Sequence, residues 1–238
     1  MSKPVIISCL IIGAYCVARY FVYKVVVVNS LQSWIFRDAT MDIPRTIGLI
    51  ASLWYGFRRW GTRRLGFHTN GVKVVFWASL FILSLELLNC ELRKGYFPLS
   101  ASALFIFVSS SLLVGFFEEI LFRGVLFNSL RDWKGLGWAM WGSAILFTIF
   151  HIQAQPVATW SGIFLFGLFF SFLRRSNISI IWLAVMHGVY DSIVGLLGKL
   201  GATHPMLYWK PIYLLIWSLA CIFYYRCFVV NESKHLKL

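Results

Sequence analysis

The sequence predicts an all-α fold, a polytopic membrane helix bundle of about eight transmembrane helices. Three observations predict it. Of the 238 residues, 59% are hydrophobic and only 13% charged, whereas a soluble domain carries roughly 45–50% apolar and 25% charged residues. Mean hydropathy is +0.75. The apolar residues also fall in continuous runs, without the alternation of lipid-facing strands. Helices, whose backbone bonds close within each segment, fit such runs better than a barrel does.

A span needs about 20 mainly apolar residues. The runs place spans at about 5–27, 43–57, 72–90, 100–130, 137–154, 157–173, 178–198 and 210–230. The first follows Lys3 and continues past Arg19 and Lys24 to Val28, too far for a signal peptide, so it reads as an uncleaved span. The second is short and starts after Pro44, so a half-span or interfacial helix is the alternative to a full crossing. The fourth is long enough to leave the membrane at its end, since Asn128, Arg131 and Asp132 follow the apolar run. Trp34, Trp54, Trp60, Trp133, Trp138 and Trp209 lie near proposed span ends, as an interfacial aromatic belt requires.

The organisation follows from these spans. Residues 1–99 hold about three N-terminal helices, 100–198 a helical core, and 199–238 the last helix and a cytoplasmic tail. No internal repeat, low-complexity tract or soluble domain interrupts them. The net charge of +13 would suggest nucleic acid in a soluble protein. Here the basic residues sit mainly in loops, where they set topology and meet anionic head groups, so the partner is the lipid bilayer and not nucleic acid.

With a cytoplasmic N-terminus and eight crossings, the cytoplasmic side receives Lys3, Arg58, Arg59, Arg63, Arg64, Lys73, Arg131, Lys134, Arg174, Arg175, Arg226, Lys234 and Lys237. The far side receives Arg37, Arg45, Arg93, Lys94, Lys199 and Lys210. That bias follows the positive-inside rule and puts both termini in the cytoplasm. The basic loop from Arg58 to Lys73 reads as a topology anchor. Cys9, Cys16, Cys90, Cys221 and Cys227 lack metal-ligand spacing and read as small packing residues.

Ionisable groups inside apolar spans need a reason, because each costs several kcal/mol unless paired or facing a wet cavity. The densest stretch is Gly115-Phe-Phe-Glu118-Glu119-Ile-Leu-Phe-Arg123-Gly124. Glu119 and Arg123 are spaced i, i+4, share a helix face and can pair. Glu118 points about 100° away, so it is the less neutralised carboxylate. Gly115 and Gly124 permit close helix approach, and Ser109, Ser110 and Ser111 can hydrogen-bond within their helix or across it. His151 ends Phe147-Thr-Ile-Phe-His151. His187 and Asp191, in His187-Gly-Val-Tyr-Asp191, are again i, i+4. Five such groups on three apolar helices are best satisfied by one shared polar cavity. A Glu-Glu pair, two His and an Asp are the groups of hydrolysis: a base to activate water, and donors for a developing oxyanion.

The order Glu-Glu-x-x-x-Arg, Phe-x-x-x-His, His-x-x-x-Asp/Asn on successive membrane helices resembles the CAAX prenyl endopeptidase and bacteriocin-processing (CPBP, or Abi) family of intramembrane proteases. The motifs stand as Glu118-Glu119-Ile-Leu-Phe-Arg123, Phe147-Thr-Ile-Phe-His151 and His187-Gly-Val-Tyr-Asp191, within about residues 100–195; the flanking residues add only hydrophobicity to the resemblance. It implies that Glu118 is the water-activating base and that Glu119 and Arg123 support it. It further implies that His151 binds or polarises the water, and that His187 and Asp191 lie at the oxyanion. Asp191 departs from the Asn form of the third motif. An ionised Asp cannot donate to an oxyanion, so Asp191 is expected either to be protonated or, the preferred reading, to orient His187.

The resemblance also leaves a zinc ion open, with Glu118, His151, His187 and Asp191 as ligands. The helical His-Glu-x-x-His pattern is absent, and a glutamate-activated water needs no metal, so a metal-free mechanism is favoured. The substrate expected is a membrane-anchored or lipidated protein or peptide, processed in the manner of a CAAX substrate, a bacteriocin or a C-terminal sorting tail. The setting expected is a bacterial inner or plasma membrane. The rival classes are a transporter or proton relay, which also uses intramembrane carboxylates and histidines but would favour internal repeats and broken helices, and a non-catalytic scaffold or immunity protein.

Overall fold

A computed structural model describes residues 2–28, 31–88, 91–92, 100–199, 202–203 and 210–226. The architecture is all-helical apart from one two-residue pairing. The elements are α1 (Lys3–Val25), α2 (Leu31–Leu65), α3 (Val72–Leu88), β1 (Glu91–Leu92), α4 (Ala101–Glu119), a π-helical segment (Ile120–Leu126), α5 (Phe127–Lys134), α6 (Leu136–His151), α7 (Trp160–Arg175), α8 (Ile180–Lys199), β2 (Ala202–Thr203) and α9 (Lys210–Tyr225). The antiparallel pairing of Glu91 with Thr203 and Leu92 with Ala202 joins the chain after α3 to the chain after α8.

Among the described residues, four helical stretches are long and apolar enough to cross a membrane: Lys3–Val25, Ala101–Lys134, Val157–Arg175 and Ile180–Leu197. Leu136–His151 and Pro211–Phe223 are shorter apolar helices. Large apolar side chains such as Leu10, Phe21, Trp77, Phe105 and Leu215 stand more than half exposed on the outside. Such a surface suits lipid, and the chain is an integral membrane protein.

Cys90, Arg93, Lys94, Trp209, Cys227, Lys234 and Lys237 lie outside the described residues, as do residues 89–90 and 227–230 of two predicted spans. Cys9, Cys16 and Cys221 are free thiols.

The second predicted span differs most. Instead of starting after Pro44, α2 begins at Leu31, carries Pro44 in its interior, and turns out of helical geometry at Gly61 (φ 69°). Pro44 removes one helical hydrogen bond, yet packing of α2 against α1 and α4 carries the helix through. Arg45, expected at the far-side surface, is buried. It reaches Asp42 Oδ1 at 2.7 Å and Ser110 Oγ at 3.0 Å, and Ser110 itself donates to Asp42 at 2.8 Å. This ion pair moves the polar start of α2 onto α4.

The α4 to α5 stretch is continuous but passes through the π turn. Side chains bond carbonyls of this segment: Ser143 Oγ donates to the Phe122 carbonyl at 3.0 Å, Arg174 Nε to that of Arg123 at 3.1 Å, and Asn128 Nδ2 to that of Gly124 at 2.7 Å. Single π turns of this kind cluster at functional sites. The basic loop is fastened beneath it. Arg174 Nη2 and Asn128 Nδ2 also reach the Arg64 carbonyl at 2.7 and 3.1 Å, and Arg64 and Trp60 hold Asp132 of α5.

Helices α4 and α8 pack along their length, and two glycines set their spacing. A Cβ on Gly115 would fall 2.6 Å from the Gly188 nitrogen, and one on Gly188 would fall 2.7 Å from Leu112 Cα. Only glycine lets the two backbones come this close.

Candidate active site

The close approach of α4 and α8 decides where the polar groups meet. Glu118 and Glu119 are the last residues of α4, and Arg123 lies one turn on, in the π segment. Glu119 and Arg123 are both fully buried and pair, Nη1 to Oε1, at 2.9 Å. Arg123 also donates to the Gly167 carbonyl at 3.1 Å and lies 4.3 Å from the centre of the Phe147 ring. The Glu119 carboxylate offsets the cost of burying this guanidinium, although its Nε has no hydrogen-bond partner among the described residues.

From α8, the His187 Nδ1–H donates to the same Glu119 Oε1 at 2.8 Å. Its Nε2 then faces Glu118 Oε2 at 3.9 Å and Asp191 Oδ2 at 3.6 Å. From α6, the His151 Nδ1–H donates to the Phe147 carbonyl at 2.8 Å, which turns Nε2 toward Glu118 Oε2 at 3.6 Å. Glu118 Oε2 is buried and has no hydrogen-bond partner among the described residues. The structure therefore brings Glu118, Glu119, Arg123, His151, His187 and Asp191 together.

One expectation is corrected. The i, i+4 spacing assigned the orientation of His187 to Asp191, but the hydrogen bond comes from Glu119. The glycine contact between α4 and α8 presses His187 onto the end of α4, whereas Asp191 stops 3.6 Å from the other ring nitrogen.

A cavity of about 300 Å³ opens beside the cluster, with His151, His187 and Asp191 on its wall. Phe147 and Phe166 line it as well, and the Phe166 and Phe170 rings sit 5.2 and 5.6 Å from the His187 ring. The imidazoles thus work in a largely aromatic surround with one open side.

The flanking helices also reach the site. Arg19 of α1 is buried, donates to the Phe150 carbonyl in the last turn of α6, and lies 4.7 Å from the Phe150 ring centre. Tyr15 stacks on Phe150 at 5.1 Å. Glu86 of α3, also buried, lines the cavity with Tyr190 and Tyr213. The signal for Glu86 was present, as a single carboxylate inside the apolar run of residues 72–88.

Zinc was the cofactor the resemblance left open. Among the described residues, no group of three or more His, Cys, Asp or Glu side chains stands in metal-holding geometry. No chemical step below passes through a metal ion.

Fold and site together define a polytopic helical membrane protein with a Glu-Glu-His-His-Asp cluster beside a cavity, in which Glu118, Glu119 and His187 are buried and His151 and Asp191 half-buried. Residues 100–193 match the family model described as type II CAAX prenyl endopeptidase Rce1-like. That is the protease family the three motifs resemble, and the match runs from α4 to within α8. No curated protein and no solved structure matches the chain.

Proposed function

We propose that the chain is an intramembrane endopeptidase that hydrolyses a peptide bond of a membrane-anchored or lipidated protein or peptide, such as a CAAX-type substrate, a bacteriocin precursor or a C-terminal sorting tail. The observation that carries this reading is the unpartnered Glu118 Oε2 facing the Nε2 atoms of His151 and His187, at 3.6 and 3.9 Å, next to the cavity.

The chemistry follows from which atoms are free. With Nδ1–H committed to the Phe147 carbonyl, neutral His151 presents a lone pair at Nε2. A water between Glu118 and His151 is held by two acceptors, which points its oxygen lone pairs outward. Glu118 takes a proton from that water as its oxygen bonds to the carbonyl carbon of the scissile peptide, and the carbonyl π pair moves onto the carbonyl oxygen. His187, fixed through Nδ1 by Glu119, donates to that oxyanion when its Nε2 carries a proton, with Asp191 supporting that proton from the far side. The tetrahedral species then collapses, the C–N bond breaks, and Glu118 returns the proton to the leaving amine. A positioned base supplies about 10²- to 10⁴-fold, and one oxyanion donor about 10²- to 10³-fold.

In this reading residues 100–198 form the catalytic core. The eight predicted helices all cross the bilayer, and both termini face the cytoplasm. The test is proteolysis of a membrane-anchored peptide by the purified chain in lipid vesicles. Wild type is expected to cut, with loss of at least a hundredfold in Glu118→Gln. Equal cleavage by both would remove Glu118 from the mechanism, and a properly folded wild-type chain that cuts nothing would remove the protease reading.

A further inference from the structure

Glu86 is the only carboxylate of α3 and is 4% exposed. Its Oε1 accepts from the hydroxyls of Tyr190 (α8) at 2.9 Å and Tyr213 (α9) at 2.6 Å. Three helices therefore converge to hold one carboxylate. Both tyrosines address the same oxygen, so neither engages Oε2. Glu86, Tyr190 and Tyr213 line the same cavity as His151, His187 and Asp191. Tyr190 precedes Asp191 directly, and its ring lies 5.0 Å from Phe166, which in turn lies 5.2 Å from His187. The catalytic steps above use none of the three.

A buried carboxylate needs a counter-charge or a full set of donors. Two neutral hydroxyls on one oxygen supply part of that set, and among the described residues no basic side chain pairs with Glu86. Apolar Ile163, Val194 and Leu214 line the cavity too, beside the uncharged polar Gln155, Thr159 and Ser161. The cavity that Glu86 lines gives a further partner a way in from the side where the substrate enters. Both Glu86 and Tyr213 lie outside the segment that matches the protease family, so this end of the cavity is a feature of the chain's own flanking helices.

We propose that Glu86, held by Tyr190 and Tyr213, is a specificity-determining residue that receives a cationic lysine or arginine side chain of the substrate near the cleaved bond. The proposal rests on the endopeptidase reading for its substrate class. The apolar walls take the stem of the side chain and the carboxylate takes its head, as long basic side chains require. An acidic side chain at the same place is rejected.

The experiment separates binding from cleavage. The probes are fluorescein-labelled apolar peptides of about 20 residues, long enough to span a bilayer, in sets that carry lysine, norleucine or glutamate at each position in turn. Affinity is measured in vesicles on the Glu118→Gln chain, so that nothing is consumed. At one or two adjacent positions lysine is expected to bind about tenfold tighter than norleucine, the scale of one charge-assisted hydrogen bond. Adding Glu86→Gln, which keeps the shape and a carbonyl acceptor for the tyrosines, is expected to bring the ratio to about one. Tyr213→Phe, which removes one hydroxyl holding the carboxylate, is expected to lower the ratio in a chain whose elution profile is unchanged. A lysine preference that survives Glu86→Gln, or no preference at any position, overturns the proposal. Cleavage of the same peptides by wild type bears on the endopeptidase reading alone, so the two can fail separately.

Discussion

Replacing Gly188 by alanine tests how helix packing sets the site. The added Cβ would lie 2.7 Å from Leu112 Cα and 3.0 Å from the Ser111 carbonyl oxygen, both backbone atoms of α4. Ordinary contact begins at 3.4 Å, so α4 and α8 must part by about 0.7 Å to admit it. His187 is the adjacent residue on α8, and its 2.8 Å hydrogen bond to Glu119 spans this same interface. A separation of that size stretches the bond to about 3.5 Å, the limit of a hydrogen bond. Overpacking of this kind costs about 1–3 kcal/mol of stability, and a misplacement approaching 1 Å lowers turnover by one to two orders of magnitude, roughly. The assay is thermal unfolding in detergent beside peptide cleavage in vesicles, with Gly13→Ala as control because nothing lies within 4 Å of its added Cβ. A Gly188→Ala chain with wild-type melting and wild-type turnover would refute the reasoning.

Arg123→Ala strips the buried Glu119 carboxylate of its cation and is expected to destabilise the chain by about 3–5 kcal/mol. The double variant Arg123→Met, Glu119→Gln should melt closer to wild type in the same thermal scan, and an equal loss in both would count against the ion pair. Asp191→Asn should keep more turnover than Asp191→Ala, since the amide can still hydrogen-bond toward His187 Nε2; an inactive Asn variant beside an active Ala variant contradicts that role. Exhaustive chelation followed by metal analysis should leave cleavage intact, while loss restored by zinc would replace the metal-free mechanism.

Much of the bundle was legible because lipid demands long apolar runs. The helices at Lys3–Val25, Leu136–His151 and Ile180–Lys199 fall within a few residues of the runs that predicted them. The first half of α2 was not legible. Arg37, Asp38 and Asp42 make it too polar to read as a buried helix, and only the Arg45 pairing with Asp42 and Ser110 shows how α4 accepts it. The π turn has no local signature either. Its carbonyls are bonded by Ser143, Asn128 and Arg174, and Ser143 and Arg174 come from α6 and α7.

At the site, the Glu119–Arg123 pair could be read from spacing, because i, i+4 residues on one helix must share a face. The His187–Glu119 bond crosses two helices and depends on how closely Gly115 and Gly188 let them approach, a distance no spacing rule contains. Glu86 was readable in principle. It stands alone in an apolar run, and no motif or spacing ties it to Tyr190, Tyr213 or the other site residues.

The central claim is that one water, held between Glu118 and His151 and activated by Glu118, breaks a peptide bond within the bilayer, with His187 donating to the oxyanion. The most direct measurement is mass spectrometry of a membrane-anchored peptide incubated with the chain in vesicles prepared in oxygen-18 water. The account predicts two fragments whose masses together equal the peptide plus one labelled water. The label sits in the new carboxyl group, and neither fragment appears with Glu118→Gln. A peptide that stays intact with wild type, or label incorporated equally by the Glu118→Gln chain, contradicts it.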